Sequence, residues 1–309
     1  MPSATVPAGL GDDLAAIVRS VMAEIRPKLV EAAFSGESGE NENERHSDNF
    51  LSEHDLWMHD RYRELLATRL GSFIYASEEA EPQVVGDESE PDLCILVDPL
   101  DTSELAVRAL NGYTHVMAYS RSLGRPVASV VGDIYHYVQL YVASLHEDGI
   151  DRAYAMTTDN VRRRLMPRAP KALSESIVTN FLMRPEERFL PLSRKTGFIK
   201  ALNAPAPDGK HRGRIGLDFG SVSLCHVATG FTEAVIEFAK GFAIWDLAPG
   251  HYILTAAGGV VVDLEGKPIP LDYGLNSKAN IAKAMDPRQT FIAAGSKQLA
   301  NEIVRALRD

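Results

Sequence analysis

The chain has 309 residues, long for one core and comfortable for two packed domains, and its 45% hydrophobic and 24% charged content supports a sizeable core. Its 42 acidic and 32 basic residues give a formal charge of −10, which argues against a nucleic-acid partner, because phosphate-backbone contacts need a basic surface. No apolar run is long enough to span a membrane, MPSATVPAGLGDDL lacks the marks of a secretory signal, and Cys94 and Cys225 sit in apolar runs as buried reduced thiols would. The expectation is a cytoplasmic protein with no membrane partner.

Leu14, Ile17, Val18, Val21, Met22 and Ile25 recur at helical spacing behind Asp12 and Asp13, which can cap the start, and Pro27 should bend or interrupt that helix. The acidic stretch GESGENENERHSD (36–48) has no period; it reads as a solvated loop or as a mobile flap over a site. A second helix is expected from Ser52 to Leu70, with Ser52 and Asp55 as a capping pair, Leu56, Tyr62, Leu65 and Leu66 on the buried face, and Gly71 as its stop. SFIYASEE and LCILVDPLD each read as a strand ending in carboxylates, and THVMAYS, PVASVVGDIYHYVQLYVAS and IDRAYAMT continue as an antiparallel meander.

The proline-rich, basic stretch 158–175 marks the expected boundary, giving an α+β domain over 1–157 and an α/β domain over 158–309. Beyond it a helix is expected over 221–229, a strand in TEAVIEF and a helix in WDLAPGHYILTAAGG. Strands in VVVD and TFIAAG and a closing amphipathic helix in SKQLANEIVRAL complete the alternation. Internal repeats, a Walker loop and a dinucleotide glycine fingerprint are absent from the sequence.

Glu78, Glu79, Asp98, Asp101 and Asp246 each stand where an apolar strand or a Trp gives way to a new element. Turn and cap duties are the plain explanation for any one of them. Taken together they suggest a shared pocket, where carboxylates would repel one another unless cations neutralise them. With no histidine or cysteine beside them in the sequence, hard oxygens, the carbonyl of Leu100 included, select Mg²⁺ or Mn²⁺ over zinc. Two such ions about 3.5–4 Å apart would clamp the attacking and leaving oxygens of a displacement at phosphorus. Thr102 and Ser103 follow Asp101 directly; hydroxyls there can hold a water, and turn N–H groups can hold a phosphate. Asp55 could take the water's proton through Ser103, although a plain helix cap explains it equally well.

LSEHD, SEEAE, VDPLDTS and IWDLAPGHYILTAAGG, in this order, resemble the motifs of the inositol monophosphatase family of magnesium-dependent, lithium-sensitive phosphatases. The likeness covers roughly residues 50 to 305 and is thin between about 158 and 210. It implies a layered αβαβα sandwich, usually a homodimer, acting on a small phosphorylated substrate. It implies that Glu78, Asp98 and the Leu100 carbonyl hold a first Mg²⁺, that Asp98, Asp101 and Asp246 hold a second, and that Glu78 helps hold a weaker third. Ser103 with Asp55 would orient the attacking water, the backbone of Thr102 and Ser103 would grip the phosphate, and Glu237 would meet substrate hydroxyls. Four departures mark the substrate side. Thr102 and Ser77 replace glycines, GLDFGSVS with Ser221 lacks the family's substrate-facing pattern, and two extra residues separate Glu237 from Asp246. These put inositol phosphate itself in doubt. Pro249 resembles branches acting on 3′-phosphoadenosine phosphate or inositol polyphosphates, and a regulatory or binding protein with weak activity on the same fold is the rival reading.

Overall fold

Leu14, Val18, Val21, Met22, Ile25 and Leu29 form the buried stripe of α1 (Leu10–Ser35) in this computed structural model, which describes residues 7–43 and 50–308. Residues 44–48 of the expected flap lie outside the described residues. Asp12 and Asp13 sit in the first turn, where they suit the helix dipole, while Gly9 is the cap residue. Pro27 does not end the helix. Leu29 and Ala32 beyond it are buried, and burying one leucine contributes about 2 kcal/mol, enough to offset much of a lost backbone bond.

The second helix, α2 (Glu53–Leu70), starts with the expected capping box, in which Ser52 and Asp55 bond each other's backbone N–H groups, and stops at Gly71. Tyr62 and Leu66 are buried, but Leu56 is 41% exposed because it lies across the helix from Met58 and Tyr62.

Eight strands form the first sheet: β1 (Phe73–Ser77), β2 (Ala80–Val85), β3 (Leu93–Asp101), β4 (Tyr113–Ser120), β5 (Arg125–Asp133), β6 (Val138–Leu145), β7 (Asp151–Thr157) and β8 (Arg162–Arg164). Their order is β8-β7-β6-β5-β4-β3-β1-β2. The meander from β3 to β7 is antiparallel, whereas β1 lies parallel to β3, with Ser77 opposite Val97. Ile95, Val97, Val116 and Ala118 share one core with α1 and α2, so the alternate residues Asp98 and His115 face the other side of the sheet. One turn of helix, α3 (Ser103–Ala106), follows β3.

The second unit is a mixed five-stranded sheet with helices α4 (Gly220–Thr229) and α5 (Ile244–Ala256) among its elements. Its strands β9 (Ile177–Asn180), β10 (Arg214–Leu217), β11 (Ala234–Phe242), β12 (Val260–Val262) and β13 (Gln289–Ala294) run in the order β10-β9-β11-β13-β12. Between β12 and β13 the chain forms α6 (Lys278–Met285), and α7 (Lys297–Arg308) packs Leu299, Ile303 and Leu307 into a core with Ile236 and Ile292. The fold class is thus mixed α+β, as expected. The units divide as 1–163 with 271–287 and 164–270 with 288–309. The segment carrying α6 therefore returns to the first unit, where Asp272 accepts a bond from Tyr119 at 2.8 Å; the expected boundary at 157/158 assigned it to the second domain.

Cys94 and Cys225 are both buried and free. Among the described residues no helix is long and apolar enough to cross a membrane.

Helix α1 presses closely on β5. A Cβ on Gly132 would stand 2.7 Å from Met22 Sδ, 2.8 Å from Val18 Cγ1 and 2.9 Å from Thr114 Cγ2. Gly132→Ala is expected to cost about 1–3 kcal/mol by overpacking, read as a lower urea midpoint with unchanged far-ultraviolet circular dichroism.

Candidate metal centre

Side chains alternate along a strand, so residues three apart normally point to opposite faces. Asp98 and Asp101 escape this rule. Asp98 stands opposite His115 and Asp101 opposite Tyr113, with a register shift between the two pairs. Three steps along β3 thus match two along β4, the signature of a one-residue bulge at Pro99–Leu100. Proline lacks an N–H for the ladder and is tolerated at such a bulge. Leu100 turns into the helix-side core, and both aspartates emerge on the face that carries His115. Ligand atoms of Asp98, Asp101 and His115 all lie within 4.8 Å of one another.

His115, which the sequence reading did not single out, joins the two aspartates in this close-set group. It is fully buried, with Nε2 at 3.2 Å from Asp101 Oδ2 and Nδ1 at 3.5 Å from Asp98 Oδ2. Only strand register could reveal it, since the sequence separates it from the aspartates. Glu78 follows the Ser77–Val97 pair by one residue, which puts its backbone beside that of Asp98; its carboxylate is outside the close-set group. Glu79, half-buried, follows the same turn, where its N–H reaches Ser77 Oγ at 3.3 Å. Ser77, where the resemblance expects a glycine, does not have a positive φ, and its hydroxyl lies 2.9 Å from His59 Nδ1. Two buried or half-buried carboxylates and an imidazole at this spacing fit a divalent cation.

Beyond the bulge, Thr102 adopts φ 62°, ψ 41°, the left-handed region that a β-branched residue disfavours, and its hydroxyl bonds the Asp101 carbonyl at 2.6 Å. This conformation turns the chain so that Ser103 Oγ meets the Asp55 carboxylate and lies 2.7 Å from the Leu100 carbonyl oxygen. Asp55 also accepts the Ser52 N–H at 2.8 Å. The cap and the proton-acceptor readings of Asp55 are therefore compatible, one carboxylate oxygen serving each. Burial pushes the Asp55 carboxyl up to about 6, against the opposing pull of the Ser103 and Ser52 hydrogen bonds.

In the second unit, Asp246 occupies the first turn of α5 behind the buried Trp245. Arg288 Nη1 lies 3.5 Å from its carboxylate, with the guanidinium 5.2 Å from the Trp245 ring centre. Pro249 removes a helical donor from α5, and there Ser221 inserts its hydroxyl, donating to the Asp246 carbonyl at 2.6 Å and accepting from Gly250 N–H at 3.0 Å. Ser221 is 0% exposed and bridges α4 to α5. Glu237 is buried as well. It is 1% exposed, and one oxygen accepts N–H bonds from Ala239, Lys240 and Gly241 at 3.1, 3.1 and 3.2 Å. Its other oxygen pairs with Arg188 Nε at 2.8 Å. The Arg188 guanidinium, 4.4 Å from the Phe181 ring centre, also reaches the Gly241 carbonyl at 3.1 Å. No sequence motif announced Arg188 or Arg288, whose partners are distant in the chain.

Two outcomes test this geometry. Thr102→Gly, by relieving a left-handed β-branched residue, is expected to stabilise the fold by about 1 kcal/mol in urea titration. The raised Asp55 carboxyl makes the folded state bind more protons than the unfolded one between about pH 4 and 6. Its contribution is therefore fullest below pH 4 and is lost as pH rises through 6, by about 3 kcal/mol. Subtracting the stability of Asp55→Asn from that of the native chain, in chelator, should give a difference that falls by that order between pH 4 and 7.

Residues 13–309 match the sequence profile of the inositol monophosphatase family. A fructose-1,6-bisphosphatase/inositol-1-monophosphatase of Thermococcus kodakarensis is 24% identical over 222 residues, 72% of this chain and 71% of that protein. Inositol monophosphatase 2 of Homo sapiens is 41% identical over 51 residues, 16% of this chain and 17% of the relative. A bifunctional NADP phosphatase/NAD kinase of Methanococcus maripaludis is 38% identical over 65 residues, 20% of this chain. That last match spans only 12% of the relative's length. In fold the chain resembles the extragenic suppressor protein SuhB of Bartonella henselae, with TM-score 0.65 and 21% identity over 94% of this chain and 98% of that one. Matched by the profile along nearly all its length, the chain belongs to the inositol monophosphatase family.

Proposed function

We propose that the protein hydrolyses a small phosphate monoester carried on a sugar, nucleoside or polyol, with Mg²⁺, or Mn²⁺ in its place, as cofactor. The observation that carries this reading is the bulge that turns Asp98 and Asp101 to one face immediately before the Ser103–Asp55 hydrogen bond. Glu78, Asp98, the Leu100 carbonyl and Asp101 would hold metal ions, and Asp246 is a further ligand that the family resemblance implies. The bound ions supply charge neutralisation and an acidified water. Ser103 orients that water, and Asp55, ionised above about pH 6, accepts its proton through the serine hydroxyl. The N–H groups of Thr102 and Ser103 hold the phosphate oxygens through the turn.

The relatives' names span phosphatases of NADP, of fructose 1,6-bisphosphate and of inositol phosphate. With Glu237 committed to Arg188 and Ser221 to α5, the contacts expected for inositol hydroxyls are spent inside the fold. This favours a sugar or nucleoside phosphate over inositol phosphate.

The test is phosphate release across a panel of inositol 1-phosphate, fructose 1,6-bisphosphate, sugar monophosphates, nucleoside 5′-phosphates and 3′-phosphoadenosine 5′-phosphate. One substrate class should dominate, Asp98→Asn should abolish its turnover, and Ser103→Ala should lower kcat about a hundredfold while metal binding persists. Undiminished turnover in Asp98→Asn would remove the metal centre from the reaction.

A further inference from the structure

We propose that His115 is itself a metal ligand, binding through Nε2 the ion held by Asp101 and Asp98, and that the centre therefore prefers Mn²⁺ over Mg²⁺. The inference rests on the metal-centre reading above and adds a nitrogen donor to it.

The donor atoms of His115, Asp98 and Asp101 lie within 4.8 Å of one another, close enough to meet on one ion. His115 Nε2 and Asp101 Oδ2 stand 3.2 Å apart. On its other side the ring presents Nδ1 to Asp98 Oδ2 at 3.5 Å. A carboxylate oxygen faces each ring nitrogen. With a cation bound at Nε2 beside Asp101, Nδ1 is left facing the Asp98 carboxylate, the arrangement that commonly fixes a ligating histidine.

The ring is also held in place before any ion arrives. His115 lies in β4 directly opposite Asp98, with Thr114 and Val116 on either side paired to Gly132 and Val130 of β5. It is fully buried, so the nitrogen is positioned by the sheet. Magnesium favours oxygen donors and gives up its waters reluctantly, whereas Mn²⁺, the carboxylate-binding ion at the weak end of the transition-metal order, takes an imidazole nitrogen more readily than Mg²⁺ does. One nitrogen in the set thus biases the centre towards Mn²⁺.

The experiment uses the full chain stripped with chelator and loaded with Mn²⁺, read by pulsed electron paramagnetic resonance. Native protein should show ¹⁴N coupling of a directly bound imidazole, replaced by ¹⁵N coupling when the histidines are ¹⁵N-labelled. In His115→Gln the coupling should vanish and the Mn²⁺ dissociation constant rise about tenfold, with that for Mg²⁺ changing much less. Bound Mn²⁺ that is lost in Asp98→Asn but shows no ¹⁴N coupling in the native chain would overturn the role of His115 alone. This measurement needs no His115 variant to fold. Coupling that survives in His115→Gln would also overturn it. Mn²⁺ bound equally well by Asp98→Asn would overturn the inference together with the metal-centre reading beneath it.

Discussion

The parity of a β-strand is the constraint on which the site depends. Side chains alternate, so an aspartate pair three residues apart is split between the two faces of a sheet unless one residue is added to the count. The bulge at Pro99–Leu100 adds it, and the consequences run along the chain. Leu100 goes to the helix-side core, Asp101 joins Asp98 beside His115, and Thr102 takes a left-handed conformation that aims Ser103 back at Asp55. The strained threonine costs about 1–2 kcal/mol. It is held by its neighbours: the Asp101 carbonyl takes its hydroxyl, and the next residue is anchored in the capping box of α2.

The carboxylates of the first unit divide into two environments. Asp55 is isolated from water under α2 with hydroxyl and amide partners, which keeps its proton affinity high for an aspartate. Asp98 and Asp101 sit on the opposite side of the strand with an imidazole between them. One set of environments suits accepting a proton near neutrality, and the other suits a cation. In the second unit Glu237 is a buried carboxylate in a third environment. It is saturated by an arginine and three backbone amides, and it serves to shape the bulged end of β11.

Features written in neighbouring residues were legible. The Ser52–Asp55 cap, the stop at Gly71 and the strands ending in acidic residues all follow from local chemistry, and the structure carries each of them. The close-set group was only half legible, because β4 brings His115 to the aspartates through strand register, which no local pattern states. The intramolecular partners of Ser221 and Glu237 were hidden for a related reason. Their partners, the α5 backbone and Arg188, come from elsewhere in the chain, and a hydroxyl or carboxylate looks the same in sequence whether it serves a ligand or the fold. Pro27 was misjudged because tertiary burial of Leu29 outweighs a local preference.

The interleaving of the two units has a consequence for biosynthesis. A ribosome delivers all eight strands of the first sheet before the chain crosses into the second unit, but the segment carrying α6 arrives only after β12. The second sheet waits longer still. Its strand β13 lies between β11 and β12 and bonds both, yet it emerges after either of them. Until then β11 and β12 have open edges, and such edges are where nascent chains pair wrongly. The first sheet, with its bulge and the Asp98–Asp101–His115 cluster, is therefore complete while the second is still waiting for its interior strand.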